Sequence, residues 1–282
     1  MTRETKLFSG ILSLLLLIVS GTFSRALQTD PRAAEILEQA YQHYERSIDN
    51  IDDYIVETDL YTTYYKKAYD NGRPYFRSRT EYSTLGGMES VSNVSDAELF
   101  SPKSFEKMKR TARYEGTETV DGFRTHVVFI PELEGIFDDV EDDLDDTMQN
   151  GRFYFDAENF VLRQMKFSIE TETDDGRQIL VEPVVKMKDY RDFEGMQVPF
   201  QTLMVVEGLS GHMSEAERRE AREGLKEMER EFEKMPAEQR QMMEDMMGGQ
   251  LDQLRKMLEE DRMEINIQVK NVRVNTGMED FD

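Results

Sequence analysis

The chain contains no cysteine and no tryptophan, and only three histidines in 282 residues. The lack of cysteine excludes disulfides, thiolate zinc sites, iron–sulfur clusters, cysteine nucleophiles and dithiol redox chemistry together. His43, His126 and His212 fall in different predicted elements with no partner at ligand spacing, so no metal or acid–base role is assigned to them. His126 lies in an alternating strand and is expected at the surface or rim. Basic side chains are scarce as well, 35 Lys and Arg against 58 Asp and Glu, for a net charge of -23. Nucleic acid needs a basic face that releases counterions, and anionic membrane surfaces need the same, so both are excluded as partners. No nucleophile elbow, phosphate loop, dinucleotide fingerprint or zinc-helix motif is present. Carboxylates are too abundant for any one pair to mark a catalytic dyad. The composition points to a binder that is not an enzyme and takes no cofactor and no metal.

One long apolar run exists, Leu7 to Val19. Arg3 and Lys6 precede it and Ser24-Arg25-Ala26 follows, with small residues where a signal peptidase reads. Residues 1–26 are therefore expected to be a signal peptide cleaved after Ala26, since the run is shorter than the roughly 20 residues of a spanning helix. No Cys follows it to carry lipid. Residues 27–282 are expected as one soluble periplasmic domain, monomeric, whose core must suffice without disulfides.

Thr29-Asp30-Pro31 supplies a helix N-cap followed by Pro at the first helical position. Ile36, Leu37, Ala40, Tyr41, Tyr44 and Ile48 then recur at helical spacing. Beyond Ile51 the period changes from 3.6 to 2, and Tyr54, Val56, Thr58, Leu60, Thr62 and Tyr64 alternate as in one long strand. Asn71-Gly72 returns it through Pro74 to Tyr82 as a hairpin. Ser101-Pro102 opens a short basic helix to Arg110, and Asp121-Gly122 joins Tyr114–Val120 to Phe123–Ile130. Strands resume at Gly151 and form a meander through Phe160–Thr173, Arg177–Tyr190 and Met196–Val206. The last strand, Met263 to Val274, changes phase after Val269, which predicts a β-bulge near Lys270 or Asn271. These runs give about nine or ten antiparallel strands with one dry and one wet face, a sheet curved round a single core.

Two segments differ in chemistry. Residues 132–149 are nearly all acidic between Asp138 and Asp146. Their spacing does not match a calcium loop, so they read as a solvated, extended charge run. Residues 212–262 form an inserted charged helical hairpin that holds eight of the 18 methionines, with a ninth at Met263 just beyond it. Ser214 and Glu217 make a capping box at its start. Leu225, Met228 and Phe232 stripe the first helix, and Met243, Met247, Leu251 and Leu254 the second. Flexible thioethers re-pack around guests of varying shape, which suits a lid or a partner arm.

Tyr154-Phe155-Asp156 turning into Phe160-Val161-Leu162-Arg163, the run Asp189-Tyr190-Arg191-Asp192-Phe193-Glu194-Gly195-Met196-Gln197-Val198-Pro199-Phe200, and Val272-Arg273-Val274-Asn275 with a closing Phe281 resemble the second half of LolA-like proteins. These are the outer-membrane lipoprotein-sorting proteins and their relatives, including lipoprotein carriers and MucB/RseB sensor domains. The resemblance implies a curved, half-open antiparallel β-barrel covered by helices, an α+β fold, whose concave apolar face accommodates a lipid or lipoprotein acyl chain. On the alternation above, the wall candidates are Val56, Leu60, Tyr64, Phe76, Val127, Phe129, Phe153, Phe155, Met165, Phe167, Ile169, Val181, Val185, Met187, Phe200, Met204, Val206, Ile265 and Ile267. The function implied is a periplasmic carrier or chaperone. The alternative is a protein-interaction or envelope-stress-sensing module of the same fold that meets an envelope protein through its helical hairpin. No residue here matches the carriers' ligand-gating basic residue, and none is carried over.

Overall fold

The computed structural model describes residues 29–82, 100–133, 136, 147–172, 178–208, 215–236 and 255–279. Helix α1 spans Pro31–Ser47, α2 Pro102–Thr111 and α3 Glu215–Lys234. The strands are β1 Asp53–Thr58, β2 Tyr61–Asp70, β3 Arg73–Tyr82, β4 Arg113–Val120, β5 Phe123–Ile130, β6 Thr147–Asp156, β7 Leu162–Glu172, β8 Gln178–Val181, β9 Val184–Phe193, β10 Met196–Glu207 and β11 Arg262–Val274. They form one 11-stranded antiparallel sheet in the order β3-β2-β1-β11-β10-β9-β7-β6-β5-β4, with β8 on β7. The signal-peptide expectation and residues 212–214 and 237–254 of the helical hairpin lie outside the described residues. Among the described residues no helix is long and apolar enough to cross a membrane.

The sheet is curved because α1 touches both of its ends. Ten strands at about 4.8 Å spacing would be about 43 Å wide if flat, whereas a 17-residue helix is about 25 Å long. Yet Asp30 at the start of α1 accepts the Tyr114 amide of β4 at 2.9 Å, and the Tyr41 hydroxyl donates to the Pro74 carbonyl of β3 at 3.0 Å. The edge strands therefore approach one another and the helices bridge the gap. The result is an unclosed barrel with a helical plug.

Turn chemistry follows the sequence where the turn residues are explicit. Asn71-Gly72 and Asp121-Gly122 hold φ of 51° and 81°, and 48° and 90°, the left-handed pair that a two-residue hairpin with right-twisted strands requires. The bulge in β11 falls at Lys270, since Glu57 pairs with Asn271 but Thr58 with Val269. β10 and β11, which flank the insertion, are neighbours.

Three expectations are corrected. The long strand from Tyr54 to Tyr64 is two strands reversed at Asp59-Leu60, where the Thr58 hydroxyl accepts the Leu60 and Tyr61 amides at 3.1 and 2.9 Å. The inward set is consequently Tyr54 and Val56 on β1 but Thr63 and Tyr65 on β2. The run Arg177–Tyr190 is broken at Pro183 into β8 and β9; proline cannot donate to a ladder, and its carbonyl instead accepts the Phe167 amide at 3.1 Å. Finally, the acidic segment is anchored at its start. Leu133 and Ile136 are core residues, each about 1% exposed, and the Ser104 hydroxyl donates to the Ile136 carbonyl. Apolar burial overrides the charge run there. Gly151 makes room for it, since a Cβ would meet Leu133 at 3.1 Å and Phe167 at 3.2 Å.

Candidate functional site

The inner face of the sheet divides into two ends of different construction. At one end α1 and α2 fill it. Ala33, Ile36, Leu37, Ala40 and Tyr41 of α1 and Phe105 and Met108 of α2 are essentially inaccessible, packed on Val128, Ile130, Phe153, Phe155, Leu162, Met165, Phe167, Val185 and Met187. Tyr41 lies 4.6 Å from the Phe105 ring centroid, and Tyr44 stacks on Phe100 at 4.7 Å. A second core beneath the end of α1 joins Ile48, Ile51, Tyr65, Phe76, Met196, Val198, Phe200 and Val272, with Val56 packed against it. Tyr65 stacks on Tyr54 at 4.2 Å and Phe200 on Phe193 at 5.7 Å. These surfaces form a packed interior with helices as its contents.

At the other end, strand register directs Met204 and Val206 of β10 and Ile265 and Ile267 of β11 to the same inner face as Val185. Ile169 of β7 pairs with Val181 of β8 beside them. Val206, Ile265 and Ile267 are 6–8% exposed, while Ile169 and Met204 are half-buried at the margin of the first core. None of Val181, Val206, Ile265 and Ile267 belongs to the described cores under α1 and α2. This row is the apolar surface that the two helices leave to another cover.

The structure brings most of the anticipated wall residues to the inner face and displaces four. Val127 and Phe129 point the opposite way: Val127 packs with Val120 and Tyr154 in a separate outer core, and Phe129 lies under the Arg152 guanidinium at 5.0 Å. Both faces of β5 are apolar, so alternation alone did not choose between them. Tyr64 is outward too, its hydroxyl donating to Glu81 at 3.1 Å. Leu60 sits in the β1–β2 turn. His126, expected on the rim, pairs with Phe155 on the inner face and contacts the Tyr114 hydroxyl at 3.3 Å through Nδ1. Burial holds its imidazole below the usual histidine range, with Arg32 and Arg124 acting the same way. Of the hairpin residues, Leu225 is buried and Met228 is 37% exposed; the Phe232 side chain, Met243, Met247, Leu251 and Leu254 fall outside the described residues.

A feature the sequence did not reveal is the latch between β3 and the helical plug. Arg73 lies 3.7 Å above the Tyr41 ring and pairs with Glu106 at 3.2 Å, Glu38 at 3.5 Å and Glu45 at 3.7 Å. Lys109 joins Glu38 at 2.9 Å and Glu106 at 3.2 Å. Burial works against the Glu38 charge, but Lys109 and then Arg73 outweigh it and hold the carboxyl below its ordinary range. Burial, reinforced by Glu45, pushes the Tyr41 hydroxyl up to about 12, so it stays protonated and donates to Pro74. One arginine thus ties both helices to one sheet edge, while Asp30 ties α1 to the other.

The hairpin insertion is held differently. Arg222 of α3 donates to the Leu258 carbonyl at 2.8 Å and Arg255 pairs with Glu229 at 2.6 Å. Leu225 and Leu258 are buried, but the remaining described faces of α3 are largely charged and exposed. Among the described residues no group of three or more His, Asp or Glu is placed to hold a metal ion.

No family model matches the sequence, and no curated protein matches it. Solved structures are similar to it in fold. A DUF1329 family protein from Desulfovibrio piger has 10% identity and a TM-score of 0.43, over 89% of this chain and 96% of that one. A putative outer membrane lipoprotein-sorting protein domain from Vibrio parahaemolyticus has 9% identity and a TM-score of 0.41, over 88% and 95%. A LolA superfamily protein from Nitrosomonas europaea, at 10% identity and a TM-score of 0.36 over 86% and 93%, is similar to the chain in the same way.

Proposed function

We propose that this protein is a periplasmic carrier that shields a lipid or lipoprotein acyl chain inside its unclosed barrel. The observation that carries the reading is the division of the inner face. α1 and α2 occupy one end as a packed, latched plug, and the row Ile169, Val181, Met204, Val206, Ile265 and Ile267 extends the same apolar wall beyond them. Val206, Ile265 and Ile267 are already largely out of water, so a ligand enters by replacing a cover. The proposed cover is the 212–262 hairpin, whose described part is anchored mainly to itself. Each methylene transferred from water contributes roughly 0.8 kcal/mol, offset by the cost of moving the hairpin. A long chain therefore binds and a short one does not.

Native mass spectrometry of the exported protein is the direct test. A co-purifying acyl species, displaced by palmitate but not by butyrate, supports the carrier. Ile265→Trp with Ile267→Trp fills the row without adding charge, and its folded form should lose palmitate binding while keeping its Arg73 latch. A ligand-free mass, together with undiminished palmitate binding in that double variant, sinks the proposal. A ligand-free mass with a stoichiometric protein bound through α3 supports instead the interaction module, to which exposed Met228 would contribute.

A further inference from the structure

The opposite face of the sheet holds a core that neither helix uses. Val120, Val127 and Tyr154 are buried there, with Tyr154 only 1% exposed. Their packing presses the β4–β5 hairpin down across the neighbouring strands. Asp121 at its tip meets Lys186 at 3.3 Å and Lys188 at 3.0 Å on β9, and Phe123 lies 3.8 Å from the Arg163 guanidinium of β7. Between the hairpin and strands β6 to β10 remains a cavity of about 660 Å³, within the range of small-ligand sites.

The lining of the cavity is chemically divided. Tyr154 and Val184 give it an aromatic and aliphatic floor, and Leu180, 56% exposed, an apolar rim. Glu118, Glu182 and Glu207 line it from three different strands or strand ends. Two cations reach it as well. Arg152 is already matched, donating to Glu115 through Nε at 2.7 Å and Nη2 at 3.4 Å. Lys166 lies 5.4 Å from the Tyr154 ring, and among the described residues no carboxylate pairs with it. Lys166 and three carboxylates, of which Glu182 also interacts with Arg152, thus line one apolar floor, an arrangement complementary to a ligand of the reverse polarity. A purely anionic ligand would meet three glutamates, and a purely cationic one would meet Lys166.

We propose that this cavity binds a small zwitterion bearing a primary ammonium and an anionic group, as in a short peptide or a phosphoethanolamine headgroup. Lys166 takes the anion, the three glutamates take the ammonium, and Leu180 and Val184 cover the alkyl part. The site lies across the sheet from the acyl row, so it stands or falls independently of the carrier reading.

Calorimetry on the mature chain tests it with trialanine, N-acetyl-trialanine, trialanine amide and glycerophosphoethanolamine. The free zwitterion should bind, and blocking either charge should weaken it about tenfold or more. Lys166→Met should weaken trialanine similarly and abolish the difference between trialanine and its amide. Glu182→Gln with Glu207→Gln should abolish the difference between trialanine and its acetylated form. Glu182 and Glu207 are exposed and Lys166 is half-buried, and unchanged urea unfolding of the variants separates binding from folding. Binding by glycerophosphoethanolamine alone assigns the site to a headgroup, and by trialanine alone to a peptide. Blocked and free probes binding equally, or no zwitterion binding at about 10 mM to folded protein, overturns the proposal.

Discussion

Helices α1 and α3 look alike in the sequence, each amphipathic with one apolar stripe, yet the sheet treats them differently. α1 has an N-cap whose two carboxylate oxygens serve its own first turn and the β4 edge. It buries five residues completely, and it is latched to β3 by Arg73. α3 buries Leu225 and is held by contacts to residues 255–258. Amphipathicity states that a helix has a face to bury; the contacts beyond the stripe decide whether it becomes core or cover.

The contrast is broken most directly at the plug. Phe105→Ala removes a fully buried ring packed beside Tyr41 and Arg73 and should cost about 3–5 kcal/mol, read as a lower midpoint in urea. A cost under about 1 kcal/mol would mean that α2 is as detachable as α3. Asp30→Ala removes the cap and leaves the Tyr114 amide without its acceptor, with an expected loss of about 1–2 kcal/mol. Hydrogen exchange should show the opening confined to the first turns of α1 and to β4. If exchange rises equally in α3, the two helices form one unit and the distinction fails.

Acidification sharpens the comparison because the plug end and the sheet seam hold depressed carboxyls. Backbone donation from Tyr114 holds Asp30 below its ordinary value. For Asp53 burial acts in the opposite direction, but the Thr276 and Met278 donors and Lys66 prevail and hold it low too. A folded value below the unfolded one means stabilisation that is complete above about pH 4 and is lost as pH falls through the folded value. Urea midpoints should therefore fall below pH 4, and Asp53→Asn should be less stable at pH 7 but flatter in that acid range. A parallel pH curve for the variant would remove Asp53 from the account. The smallest effect is expected at Leu225→Ala, about 1 kcal/mol or less within the hairpin, with the sheet midpoint unchanged. A shift of the sheet midpoint comparable to that of Phe105→Ala would make the hairpin core.

The sequence discloses elements where a residue type has one physical use. Asp30-Pro31, Asn71-Gly72, Asp121-Gly122 and the phase change at Lys270 each appear in the structure as expected from it. It misleads where the same pattern has two uses. The reversal at Asp59-Leu60 contains no Gly or Pro and is made by a threonine hydroxyl, so period 2 reads straight through it and Tyr64 is put on the wrong face. Val127 and Phe129 mislead because β5 serves a core on each side. The Arg73 latch is invisible for a third reason: its partners lie 28 to 35 residues away on α1 and 33 away on α2, a conjunction that only the curvature of the sheet creates.

The seam at Asp53 has a consequence for how the chain is made. β1 lies between β2 and β11, and the buried Asp53 carboxylate accepts the Thr276 amide at 2.6 Å and the Gly277 and Met278 amides at 3.0 Å. Asn275 adds bonds to the Asn50 carbonyl and to Glu194 of the β9–β10 turn, each at 3.0 Å. β1 thus waits for β11, a separation of more than 220 residues. During translation the β2–β3 hairpin and the β4–β7 meander can pair locally, but the sheet has no continuity between β1 and β10 until β11 has left the ribosome. Such long-range closure is slow, and the two halves of the sheet stay unjoined until β11 arrives between them.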